Sequence, residues 1–222
     1  MGMGTEIRKI LAKRAAQEIK EGMLVNLGIG IPSLVPDFLP ENFPVMFHTE
    51  NGIIGMGSSP KPGKEDENLC NAGGYPVTLQ TGGSYCDSAT AFGIIRSERI
   101  DLTILGALQV SGKGDLANWI VPGKRIPGMG GAMDLAAKAK KVIVVMNHFD
   151  KSGASKLVKA CTLPLTAPNC VHMIITELGV FSVTSEGLEL TDMFEPYTFD
   201  DVVAKTDAEV KQAKHIHIIK ER

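Results

Sequence analysis

Apolar residues recur along this chain in two rhythms, and the alternation between them outlines its elements. Ile7, Ile10, Leu11, Ala15 and Ile19 fall on one helical face, predicting an N-terminal helix that Thr5 caps and Gly22 ends. MLVNL (23–27) then reads as a buried strand, broken by the GIGIP of 28–32. A short helical segment over 33–39 is disturbed by Pro36. VMFHT (45–49) is the next strand, and it delivers the lone acid Glu50 into a glycine-rich stretch, 50–57. Residues 58–68, SSPKPGKEDEN, form a polar, exposed excursion. Asp87 is placed to cap a helix running to about Ser97, Leu102–Leu105 reads as a strand, and Gly128–Gly131 lead into a helix through Ala139. Val142–Met146 is a strong buried strand. Further β-like runs cover 172–176, 180–183 and 188–190. Thr198 with Asp201 forms a capping-box pattern for a last helix, and HIHII (215–219) closes the series.

Helical stretches alternating with short apolar strands predict an α/β fold. Its sheet is mostly parallel with helices on both faces, and further strands follow toward the C-terminus. At 222 residues the chain fits one domain, taking about 150 residues per domain as a prior. In such sheets ligands sit beyond the carboxyl ends of the strands. The glycine-rich loops 28–32, 50–57 and 128–131 all fall at or near that edge.

Charge changes the picture by exclusion. Twenty-three basic and 25 acidic residues give a net charge of −2, with no basic footprint for nucleic acid and no charged tail. The N-terminal stretch is charged and lacks an apolar signal core, and no apolar run approaches the ~20 residues that span a bilayer. Cys70, Cys86, Cys161 and Cys170 show no metal-binding spacing. They read as reduced, buried small hydrophobes in a cytoplasmic protein. No metal site is expected. His148, His172, His215 and His217 read as structural. Trp119 reads as a packing residue, Asp134 as a first-turn helix acid, and Arg96 and Arg99 as solvated cations at a helix end.

The glycine loops carry no nucleotide fingerprint. Pro32 stands where a dinucleotide motif would run on toward a third glycine, and no phosphate-loop lysine motif is present. In the third loop, Gly128, Gly130 and Gly131 precede a helix, so free backbone N–H groups there suit an anion or a developing oxyanion. Lys124 and Arg125 lie just before it. A tight turn with two solvated cations accounts for the same residues. Glu50 has no companion ligands for a metal, and the chain has no G-x-S-x-G elbow. Glu50 is therefore a base, a nucleophile or a solvated turn acid, and spacing does not separate these.

A series of blocks in one order does more. VNLGIGIPSLV (25–35), ENGIIGMG (50–57), NAGG (71–74), DSATAFGIIR (87–96), LGALQV (105–110), GDLANWIVPGK (114–124), PGMGGAMDL (127–135), CTLPLT (161–166) and VHMIITELGVF (171–181) are found together. The chain thereby resembles, over nearly its whole length, the β subunit of the two-subunit (family I) acyl-CoA:carboxylate CoA-transferases. These act on acetate, butyrate, acetoacetate and succinyl substrates. The resemblance implies the CoA-transferase fold, shared with sugar-phosphate isomerases, and reversible ping-pong transfer of CoA between a short-chain acyl-CoA and a carboxylic acid such as a 3-oxoacid. It implies Glu50 as the nucleophile, with Thr49 where the family usually shows Ser. Gly130 and Gly131 are implied beside the thioester with Asn51, and Gly28 and Gly30 as the Gly-x-Gly turn. Asn118 and Lys124 are implied as contacts to CoA or a carboxylate. CoA would be a substrate and covalent intermediate, not a resident cofactor. Activity would require a separate α subunit, in an α2β2 assembly, with β–β self-association open. Two other readings fit the same residues: an acyl-CoA thioesterase, and a non-catalytic acyl-CoA or sugar-phosphate binding module.

Overall fold

The computed structural model of the protein describes residues 4–123 and 128–220. Ten strands form one sheet: β1 (Leu24–Leu27), β2 (Met46–His48), β3 (Ile53–Met56), β4 (Leu79–Tyr85), β5 (Leu102–Leu105), β8 (Lys141–Val145), β10 (Met173–Ile175), β11 (Gly179–Thr184), β12 (Gly187–Phe194) and β13 (Val210–Ile219). Their spatial order is β13-β12-β11-β10-β8-β5-β1-β2-β3-β4. The five strands from β10 to β2 run parallel, flanked on each side by antiparallel pairings. Strands β6 (Gln109–Ser111), β7 (Leu116–Ala117) and β9 (Leu157–Val158) make a small second sheet.

The central strands are buried on both faces, which is why they read as largely apolar runs. In β8, Val142 and Val144 point into one core and Ile143 and Val145 into the other. Three helices cover the first face: α2 (Ser88–Arg96), α3 (Ala132–Lys138) and α4 (Phe199–Lys205), through Ile95, Leu135 and Val202. Helix α1 (Thr5–Ala16) covers the second with Leu11, Ala12, Ala15 and Ala16, together with the 3-10 turn Pro32–Phe38. Asp87 caps α2 by accepting from the Thr90 N–H at 2.7 Å, and Thr198 with Asp201 forms a complete capping box on α4. No helix among the described residues is long and apolar enough to cross a membrane.

Several sequence expectations are corrected. Thr5 does not cap α1. It is already helical, so its hydroxyl cannot reach the free N–H groups, and Gly4 holds the extended cap position without a side-chain bond. The helix ends at Ala16 rather than near Gly22. Its buried face is turned so that Ile7 is exposed, while Ile19 is buried in the turn that follows. The stretch 50–57 is not all loop, because Ile53–Met56 is a strand paired with β4, which the pattern did not predict. All four cysteines are free thiols. Only Cys170 is buried, and Cys70 is exposed in the loop before β4. Asp134 does lie in the first turn of α3, but Arg96 is not simply solvated: its Nε meets Asp134 Oδ1 at 2.9 Å, and its guanidinium lies over the Phe92 ring.

A largely buried ion network ties α1 to the sheet. Arg14 meets Glu18 at 2.8 Å and Asp192 at 3.3 Å, and Lys141 meets Glu18 at 2.8 Å. Burial alone would raise the Glu18 carboxyl, but hydrogen bonds from Lys141 and Arg14 outweigh it and hold the group below its ordinary 4.5. A carboxyl depressed in the folded state contributes stability above its unfolded value and loses it as pH falls through the folded one. Glu18→Gln is therefore expected to be most destabilising near neutral pH, with the difference shrinking below about pH 4.5. Arg14→Met removes the guanidinium from Asp192 and leaves Glu18 to Lys141 alone. It is expected to cost about 2 kcal/mol by urea denaturation at pH 7, below the roughly 3–5 kcal/mol of a fully buried pair. An unchanged midpoint for Arg14→Met would show the network to be energetically idle.

Candidate active site

The chain leaves β1 toward β2 on one side and later returns to β5 on the other. Loops leaving β1 and β5 therefore diverge at their carboxyl ends and open a crevice, the general ligand position of such sheets. A cleft of about 700 Å³ lies there. It is walled by Gly28 and Ile29 after β1, Gly106 and Ala107 after β5, and Gly130 and Gly131 before α3, with Phe92 and Trp119 on its sides. Glu50 enters it from the end of β2.

The turn that presents Glu50 is closed on both sides. The Thr49 N–H donates to the Ile53 carbonyl at 2.9 Å, and the Ile53 N–H donates back to Thr49 Oγ1 at 3.0 Å. The hydroxyl at position 49 thus serves the turn. Gly52 lies at φ +102°, and any Cβ there would run into the Cys86 carbonyl, so only glycine fits the point where β3 turns back.

Below the turn runs a row of buried polar side chains that the sequence reading missed. Asn26 pairs in register with His48 on one side and Thr103 on the other, and all three are completely buried. Asn26 Nδ2 donates to Glu50 Oε2 at 3.1 Å and to the His48 carbonyl at 3.2 Å, and its Oδ1 accepts from Thr103 Oγ1 at 3.4 Å. Burial lowers the His48 pKa below its ordinary value, against the opposing pull of the Ala91 carbonyl and the Glu50 charge. A neutral ring donating from Nε2 to the Ala91 carbonyl at 3.0 Å accounts for this. The signal was present: each of the three interrupts an otherwise apolar strand.

Gly131 lies against the carboxylate. A Cβ built there would sit 2.8 Å from Glu50 Cγ and 3.0 Å from Oε1. It occupies the N-cap of α3, its carbonyl accepting from the Leu135 N–H at 3.0 Å. Among the described residues, the N–H groups of Gly130 and Gly131 have no partner. The cleft therefore sets a carboxylate against the N-terminal end of α3.

The remaining expected site residues separate. Gly28 lines the cleft and binds the β5 end through its N–H to the Ile104 carbonyl at 2.8 Å. Gly30 lies beyond Ile29 and lines neighbouring clefts instead. Asn51 borders the cleft, but its amide donates to the Cys70 carbonyl at 2.8 Å. Asn118 is braced in the wall between the Gly106 carbonyl at 3.2 Å and Thr166 at 2.7 Å. Trp119 is half-buried in the same wall, its Nε1 donating to the Leu165 carbonyl at 3.2 Å. Lys124 and Arg125 lie outside the described residues. No cluster of three or more His, Cys, Asp or Glu side chains suited to a metal occurs among the described residues.

Comparison with known proteins places the chain among relatives of one family. Residues 8–205 match the family model described as coenzyme A transferase. The chain is 58% identical over 211 residues to the β subunit of a probable coenzyme A transferase of Bacillus subtilis, covering 95% of this chain and 97% of that one. It is 50% identical over 204 residues to one subunit of a probable succinyl-CoA:3-ketoacid coenzyme A transferase of the same organism, covering 92% and 94%. The crystal structure of an acyl-CoA transferase apoenzyme from Escherichia coli O157:H7 shares the fold at a TM-score of 0.79 and 19% identity. The match covers 99% of this chain but only 44% of that longer one.

The Asn26 row makes a stability prediction independent of any activity. Asn26→Ala removes a buried donor from Glu50 and the His48 carbonyl, and is expected to cost about 1–3 kcal/mol by urea denaturation. Asn26→Asp sets a second carboxylate against Glu50 and should cost more at pH 7 than at pH 4.5. An aspartate variant as stable as the alanine variant at both pH values would contradict the contact.

Proposed function

This chain belongs to the coenzyme A transferase family, and we propose that it supplies the carboxylate, Glu50, through which CoA passes from an acyl-CoA to a second carboxylic acid. The observation that carries this reading is a half-buried glutamate at a sheet switch point, held by Asn26 and lying against Gly131 in a cleft that Gly130 also lines.

The chemistry follows from what a carboxylate conserves. Glu50 attacks the thioester carbonyl, and collapse of the tetrahedral species gives a mixed anhydride and CoA thiolate. The thiolate attacks the glutamyl carbonyl, releasing the first acid and leaving a γ-glutamyl thioester of CoA. The incoming acid attacks that thioester, and the two steps run in reverse, restoring Glu50 and giving ping-pong kinetics. Every intermediate retains the energy of the thioester, so no ATP is needed. A serine ester would lie too low to return CoA. Each attack places negative charge on a carbonyl oxygen, and the Gly130 and Gly131 N–H groups are suited to receive it. CoA is substrate and transient covalent adduct in this scheme, not a prosthetic group.

Both relatives above are named as one subunit of a transferase, the first as its β subunit, which supports a separate α subunit as partner; α2β2 is the stoichiometry we propose. Succinyl-CoA with a 3-oxoacid is the pair that the second relative's name supports.

The test is mass spectrometry of the complex with its α subunit after addition of acetoacetyl-CoA and borohydride trapping. A modification confined to Glu50 is expected, and an unmodified Glu50 in a complex that turns over would overturn the assignment. Product without dependence on a second acid would identify a thioesterase instead. Glu50→Gln should lower turnover by at least about 10⁴-fold, the scale of losing a nucleophile. Gly131→Ala pushes a methyl against the Glu50 side chain and should lower kcat by about 10²-fold with little change in acyl-CoA KM. Equal activity in that variant would show that the close approach is not used.

A further inference from the structure

A small pocket adjoins the Glu50 cleft. The two share Leu27, Gly28 and Ile29 at the end of β1 and Ala72 in the loop before β4. Thr49, the residue before Glu50, lines the pocket itself. The loop is also tied to the turn that presents Glu50, because the Asn51 amide donates to the Cys70 carbonyl at 2.8 Å. The pocket holds about 10 Å³, room for one group the size of a water or a methyl, and its lining is mainly apolar. Beyond it lies a much larger cavity of about 560 Å³, bounded by the start of α1 and by Leu34 and Phe38 of the 3-10 turn. Ser33, Met56, Asn71 and Tyr75 border both spaces.

The two boundaries of the pocket differ. Toward Glu50 the shared residues include Gly28 and Ala72, which bring one methyl group between them. Toward the larger cavity the boundary is filled and fixed. Ser33 Oγ donates to the Gly30 carbonyl at 2.8 Å, and Asn71 Oδ1 accepts from the N–H groups of Gly73 and Tyr75 at 2.9 and 3.1 Å. Tyr75 is exposed, whereas Met56, in β3, is buried with 3% of its surface accessible. Of the four bordering residues Met56 alone is buried, and its unbranched thioether chain is the kind that fills an irregular gap.

We propose that Met56 sets the chain-length limit of the acids exchanged at Glu50: the tail of the acyl group enters the small pocket, and the Met56 side chain stops it there. This deepens the CoA-transfer reading above and rests on it. A tail that ends in the pocket buries its last methyl, while each further methylene has to displace Met56. Shortening that side chain joins the pocket to the cavity beyond, where each added methylene is buried and gains roughly fourfold in binding.

The experiment measures kcat/KM for acetate, butyrate and hexanoate as acceptors of CoA from acetoacetyl-CoA, in the complex with the α subunit. Ratios between acceptors cancel any effect on the common donor. Met56→Ala is expected to raise the hexanoate-to-acetate ratio about tenfold or more, the scale of two newly buried methylenes. Met56→Leu nearly keeps the volume and should hold the parent ratio. Ala72 is exposed, so Ala72→Val narrows the near side without burdening the fold, and it should lower the butyrate-to-acetate ratio about threefold or more. An unchanged hexanoate ratio in folded Met56→Ala overturns the proposal, as does an unchanged butyrate ratio in Ala72→Val. A ratio that rises alike in Met56→Leu and Met56→Ala overturns it as well, marking a loosened site rather than an opened pocket. So does a parent complex that transfers CoA to succinate but to none of the three acids, because the pocket is then unused. No transfer to any acid, with Glu50 left unmodified, instead sinks the CoA-transfer reading.

Discussion

The hydrogen bond from Asn26 Nδ2 to Glu50 Oε2 is the contact on which the site depends. A carboxylate half out of water gains little from a flexible position, because a chain free to swing into solvent would be hydrated and slow to attack. Asn26 cannot swing. It is completely buried in β1, and its other bonds run to the strands on either side, to the His48 carbonyl in β2 and to Thr103 in β5. The sheet register that aligns Asn26 with His48 and Thr103 is thus also what aims Glu50. Three strands cooperate in fixing one oxygen atom, and the apolar packing that sets the register is the energetic source of that precision.

The second constraint is the absence of side chains. Gly131 allows the N-terminus of α3 to lie against Glu50, closer than any Cβ would permit. The same residue caps the helix, so the close approach and the free N–H groups come from one position. On the other side of Glu50, the turn from Thr49 to Ile53 is held by backbone and hydroxyl bonds, leaving the carboxylate without a competing local partner apart from Asn26. The result is a carboxylate fixed from below and bare above.

The sequence made the central sheet legible because both-face burial leaves an unmistakable mark. Val142–Val145 is apolar at every position and Leu102–Leu105 at every position but Thr103, as a parallel strand between two helix layers demands. The caps at Asp87 and Thr198 were legible for a local reason: one side chain satisfies the orphan N–H groups of its own helix. What escaped were the short edge elements. In β3 and β4 the backbones of Gly55 and Gly83 approach too closely for side chains, and the register shifts between Ile54 and Met56, so no period-two pattern survives. Strands β7 and β9 have two residues each, too few for any pattern. Glu50 stood out through its glycine neighbours and the blocks around it. Asn26 did not, because one polar residue in a buried strand is ambiguous until its cross-strand partners are known.

The shape of the cleft bears on the second subunit proposed for the chemistry. Thioester exchange is nearly isoenergetic, so the demand on the protein lies less in driving the reaction than in denying it water, which would hydrolyse the glutamyl thioester irreversibly. The walls contributed by Phe92, Leu105, Leu108, Trp119 and Leu135 are apolar enough for that task. Yet Glu50 keeps part of its surface in solvent, and the cleft is partly open. An intermediate formed there would be protected by protein on some sides only. A second polypeptide closing over the sheet edge would complete the dry enclosure.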